Sequence, residues 1–108
     1  MAYNFSELTE YLHKTATYDV FTSAYRNLRF NVPMDKYITI DAKYEANLPG
    51  LAFDTYGDTE LWRAILYANG LRDPLNDVVV GCRIGLPEAA SLYAYLLRTV
   101  NRIKAVVI

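Results

Sequence analysis

Four of the chain's five glycines, its single tryptophan and two of its four prolines fall between Leu51 and Pro87, in LAFDTYGDTELWRAILYANGLRDPLNDVVVGCRIGLP. Glycine enters left-handed backbone freely and proline lacks an N–H, so both residues end regular elements. So dense a punctuation confines this stretch to short elements. Asn47 caps a first helix with Pro49 in its opening turn, and Gly57 ends it. Asp58 caps a second helix and Glu60 suits the positive end of its dipole, with Gly70 and Leu71 closing it as a Schellman motif does. Asp73-Pro74 opens a turn, and Cys82, Ile84 and Leu86 share one face of a short half-buried strand. The predicted core of the stretch is Leu51, Tyr56, Leu61, Trp62, Ile65, Leu66, Asn69, Ile84 and Leu86.

Upstream, Asp35 to Lys43 alternates Tyr37, Thr39 and Asp41 against Ile38, Ile40 and Ala42, the pattern of a strand. The order strand, helix, helix, strand predicts an α+β fold. Its sheet has two antiparallel strands, with both helices on one face. Residues 36–87 form this βααβ module.

Two flanks remain. Residues 1–35 read as an N-terminal arm. A helix starts at Asn4, whose spacing to Glu7 fits a capping box, or at Ser6; it carries Leu8, Tyr11 and Leu12 on one face and ends near Lys14. A second helical pattern over Asp19–Phe30 sets Val20, Phe21, Ala24, Tyr25 and Leu28 together, and Pro33 stops it. Residues 88–108 read as a C-terminal helix with an apolar stripe of Ala89, Leu92, Tyr93, Leu96, Leu97 and Val100. Arg98, Arg102 and Lys104 lie near its end, where cations complement the dipole. Ile103 to Ile108 is apolar and largely β-branched, and is expected as an extended tail that joins a sheet edge or is covered by a partner.

A chain of 108 residues makes one domain. A net charge of −1 argues against a nucleic-acid partner, which selects a basic surface. No run of about 18 apolar residues suggests a membrane span, and the opening MAYNFSELTEYLHK does not read as a secretory signal. One cysteine excludes an internal disulfide. His13 reads as a surface residue and Cys82 as a small buried hydrophobe, so neither a nucleophile–base pair nor a zinc site is expected. Asp54, Asp58 and Glu60 are explained by capping and dipole placement, and Asp73 and Asp77 by turn chemistry. Gly57-Asp58-Thr59 lacks the lysine and glycine run of a phosphate loop. No cofactor and no catalytic residue are therefore expected. Ten tyrosines are the departure from an average chain. They line the margin of the core, or present rigid amphipathic surface to neighbouring proteins.

In their order and spacing, Leu51-Ala52, Tyr56-Gly57-Asp58, Leu61-Trp62, Ala68-Asn69-Gly70, Asp73-Pro74, Gly81 and Ile84-Gly85-Leu86-Pro87 resemble a LysM-type module. More narrowly, they resemble the LysM-like domain of bacteriophage tail and baseplate proteins, closest to the baseplate wedge family of contractile-tailed phages. The likeness covers residues 36–87. Sugar-binding LysM modules carry Gly-Asp-Thr-Leu directly after the first strand, where this chain has Glu45-Ala46-Asn47-Leu48, so carbohydrate recognition is not expected.

The resemblance implies a non-enzymatic structural subunit of a contractile tail, placed at the baseplate or the tube–baseplate junction. It would be part of the virion, assembled in the host cytoplasm. Its partners would be other tail and baseplate subunits, and copies of itself in a ring. Candidate contacts are Tyr11, Tyr18, Tyr25, Tyr95, Arg98, Ile103, Val106, Val107 and Ile108. The alternative is a peptidoglycan-binding LysM module with Trp62 or Tyr67 against the sugar.

Overall fold

The computed structural model describes residues 4–15 and 27–107, with side chains described for 4–10 and 27–102. Helix α1 is Phe5–Thr15, α2 Leu28–Asn31, β1 Met34–Thr39, α3 Leu48–Tyr56, α4 Trp62–Ala68, β2 Arg83–Pro87 and α5 Ala89–Val107, with one 3-10 turn at Thr59–Leu61 before α4. The architecture is mixed α+β around a two-stranded antiparallel sheet.

Local chemistry explains most boundaries. Asn4 Oδ1 accepts the Glu7 N–H to start α1, and Asn47 Oδ1 accepts the Gly50 N–H to start α3. Gly57 ends α3 in left-handed backbone at φ 79°. At the end of α4, Gly70 N–H donates to Tyr67 O and Leu71 N–H to Leu66 O, which is the Schellman pair. Val32, before Pro33, is extended and ends α2.

β1 pairs with β2 from Lys36↔Leu86 to Thr39↔Arg83, with a bulge between Met34 and Lys36. The predicted alternation holds in phase, because Ile38 and Ile40 turn toward the core while Tyr37 and Thr39 face solvent. β1 ends sooner than the alternation suggested. A turn held by Tyr44 and Glu45 N–H on Asp41 O takes over.

Among the described residues one buried cluster draws on both flanks and the segment between them: Phe5 and Leu8 from α1, Leu28 and Val32 around α2, residues of the module, and Leu92, Leu96 and Val100 from α5. The arm and the C-terminal helix read from the sequence thus share one core with the segment between them. Phe5 is only 2% exposed, and its ring stands edge-on to Tyr56 and Tyr93, each 5.6 Å away. Pro33 O accepts the Glu88 N–H at 2.9 Å, which ties the entry of β1 to the start of α5.

Three further expectations change. The extended tail is not seen over 103–107, because α5 continues to Val107, and Ile108 lies outside the described residues. Residues 101–107 hold no glycine or proline to stop it, and β-branched residues lower helix propensity only slightly. Cys82 is half-buried and precedes β2 at the end of a turn, its N–H on Val79 O, and so is not a buried strand residue. β2 is buried on both faces from Ile84 to Pro87, because Met34 and Tyr37 cover Gly85 on the side away from the helices. The second helical pattern is observed only as α2, and its remaining residues, 19–26, lie outside the described ones.

Candidate interaction surface

The polar side chains between Leu51 and Pro87 hold the fold together. Tyr56 leaves the last turn of α3 and donates its hydroxyl to Pro87 O at 2.6 Å. Burial, with the negative charge of Asp35 adding to it, raises its pKa far above the usual tyrosine value, so it remains a donor. Asp58, 8% exposed, accepts the Glu60 N–H on one oxygen and the Thr9 hydroxyl of α1 at 2.6 Å on the other. A buried carboxylate is tolerated when both oxygens are so occupied.

Asn69 makes the third fastening. Its Nδ2 donates to Ile65 O and to Gly85 O, each at 2.8 Å, and its Oδ1 accepts the Gly85 N–H at 2.7 Å. One amide thus replaces a neighbouring strand along the outer edge of β2. Of the predicted core, Leu51, Leu61, Ile65, Leu66, Ile84 and Leu86 are buried, while Tyr56, Trp62 and Asn69 are half-buried. Trp62, weighed as a sugar platform, packs against the core with the Arg63 guanidinium 5.2 Å from its ring centre. Tyr67 is also half-buried against the core.

Charged groups on the surface brace turns. Asp54 accepts the Tyr44 hydroxyl at 2.7 Å and pairs with Lys43 at 3.2 Å, and these contacts hold its pKa below the usual carboxylate range. Asp73 accepts the Leu75 N–H, the Asn76 side-chain amide and the Asn76 N–H, which lower its pKa in the same sense. A carboxyl depressed in the folded state adds stability that is present above its unfolded pKa of about 3.9. That stability is lost as pH falls through the lower folded value. Asp73→Asn therefore flattens the loss of stability below about pH 4. Urea unfolding of both proteins across that range measures it, and parallel curves would contradict the assignment.

What the molecule leaves for partners lies elsewhere. Large apolar side chains exposed to solvent are Phe30, Tyr37, Phe53, Leu75, Val79, Val80 and Leu97. Of the predicted contacts, Arg98 is exposed on α5. Tyr95 is half-buried, its pKa raised by burial against the opposing charges of Arg102 and Arg98. Tyr11, Ile103, Val106 and Val107 lie on helices, but their side chains fall outside the described residues. Tyr18, Tyr25 and Ile108 lie outside them altogether. Tyr37 was not among the predicted contacts, although the alternation of β1 already placed it opposite Ile38 and Ile40. At 55% exposure it stands beside Arg83, whose guanidinium sits 4.7 Å from the ring centre.

Among the described residues no three His, Cys, Asp or Glu side chains are grouped to hold a metal ion. No helix among them is long and apolar enough to cross a membrane. Comparison with protein-family models, curated proteins and solved structures found no match to this chain.

Proposed function

We propose that this chain is a non-enzymatic structural subunit of a phage contractile tail, working through protein–protein contacts at the baseplate or the tube–baseplate junction. One observation carries the reading. Tyr56, Asp58 and Asn69, the polar residues of the LysM-like pattern, direct their side chains to Pro87, Thr9, Glu60, Ile65 and Gly85 of the same fold. The order strand, two helices, antiparallel strand supports a LysM-like module as the finer description of the fold. Exposed aromatic and aliphatic side chains around its rim suit docking to neighbouring subunits, since aromatics are enriched at interfaces.

The far end of α5 is the part most separable from the core, because Val100 is the last buried residue described and Asn101 and Arg102 are exposed. Removing residues 101–108 leaves a cooperative unfolding transition and abolishes entry into tail particles. If the truncated chain entered particles normally, docking through this end would be wrong. A pull-down on insoluble peptidoglycan separates the carbohydrate reading: background retention is expected, and saturable binding lost in Trp62→Ala would overturn the structural role.

A further inference from the structure

Of the chain's seven asparagines, Asn69 alone is followed by glycine. Glycine has no Cβ to shield its nitrogen, so an Asn-Gly pair is where a backbone nitrogen most readily attacks the side-chain amide before it. The fold holds the two groups apart in three ways. Asn69 has ψ 0°, which eclipses Gly70 N with Asn69 N about the Cα–C bond. Asn69 Cβ then lies roughly a third of a turn away from Gly70 N, whereas closing a five-membered ring needs Cβ and that nitrogen nearly eclipsed. Gly70 N–H donates to Tyr67 O at 3.1 Å, a bond that rotation about ψ breaks. The Asn69 amide is itself held by Gly85 and Ile65, through both its oxygen and its nitrogen.

We propose that Asn69 and Gly70 form a self-modification site that is inert in the folded chain and reacts when α4 parts from β2. The Gly70 nitrogen then bonds to Asn69 Cγ and gives its proton to the solvent. The Cγ–Nδ2 bond breaks, and the departing nitrogen takes up a proton and leaves as ammonia. One water opens the cyclic imide at either of its two C–N bonds, leaving aspartate or isoaspartate. Neither product rebuilds the site. Aspartate sets a second acceptor against Gly85 O and Ile65 O. Isoaspartate carries the main chain through Cβ and Cγ, which lengthens it by one carbon where the Schellman turn must close. Each opening that reacts thus removes a molecule from the fully stable population, as irreversible modification of an opened state does. The site marks chains by the time they spend open. It does not depend on the tail assignment, because it belongs to the chain itself.

Peptide mapping by mass spectrometry, with chromatography to separate the two acids, tests this on the full chain incubated at neutral pH. Conversion of Asn69 is expected to be about tenfold or more slower in the folded chain than in urea. The same release that lets the ring close also frees the Gly85 N–H, because Asn69 Oδ1 is its acceptor. The retardation therefore equals or exceeds the hydrogen-exchange protection of the Gly85 N–H in the same chain. In urea, where folding is not at issue, Gly70→Ala slows the conversion severalfold by shielding the nitrogen. The converted chain, separated from the unreacted one and refolded, unfolds at a lower urea concentration. Equal rates with and without urea, a retardation smaller than the Gly85 protection, a Gly70→Ala rate in urea equal to that of the unchanged chain, or an unchanged urea midpoint after conversion would each overturn the proposal.

Discussion

Phe5→Ala lowers the unfolding free energy by about 3–5 kcal/mol, the range for removing a buried aromatic ring from a packed core. The residue sits near the start of the chain, where side chains are commonly loose. Here its ring fills the space between Tyr56 of α3 and Tyr93 of α5, and Leu8 is buried one helical turn further on. Removing the ring leaves a cavity bounded by two elements that cannot both collapse into it. Denaturant unfolding measures the effect as a shift of midpoint with little change in slope, since the fold still unfolds as one unit. An exposed arm would give a change within about 0.5 kcal/mol. The size of the loss decides whether α1 is an appendage or part of the domain.

Asn69→Ala costs about 2–4 kcal/mol, because it strands the buried N–H and C=O of Gly85. Asn69→Asp is the more informative change. The introduced carboxylate still accepts the Gly85 N–H, but its second oxygen meets Gly85 O and Ile65 O, both acceptors. The charged form is disfavoured there, so its folded pKa rises above the unfolded value of about 3.9. A group raised in the folded state adds stability below its unfolded pKa and loses it as pH rises. Asn69→Asp is therefore most destabilised near neutral pH and partly recovers toward pH 4, when the protonated oxygen can donate again. Stability curves of wild type and variant against pH read this directly. A constant difference across pH would show that the amide's second donor is unimportant.

These two residues mark where the sequence is legible and where it is not. Asn47, Gly57, Asp58, Gly70 and Asp73 could be assigned in advance because capping and turn chemistry act within a few residues. The phase of β1 was legible for the same reason, since alternation alone puts Ile38 and Ile40 inward. The links between distant segments were not. Thr9 reaches Asp58 across 49 positions, Tyr56 reaches Pro87 across 31, and Asn69 reaches Gly85 across 16. No local pattern records such a pairing, so Asn69 reads from sequence as one more residue on a helix face. The flanks read as arms for the same reason, because an amphipathic stripe such as Leu8, Tyr11 and Leu12 does not reveal what covers it, and Phe5 was not placed on it.

The length of α5 was hidden differently. Ile103 to Val107 has the composition of a strand, and continuation from the preceding helical turns overrides so weak a propensity. Its consequence for function is direct. The chain offers a helix end where an extended tail was expected, and helices dock by the side chains of one face rather than by backbone pairing.

Quantitative mass spectrometry of particles purified from the source that encodes this chain tests the proposed tail role most directly. The chain should co-purify with tube and baseplate subunits at a fixed stoichiometric ratio that survives washing at high salt. Its absence from particles that are complete and able to contract would contradict a structural role in the tail.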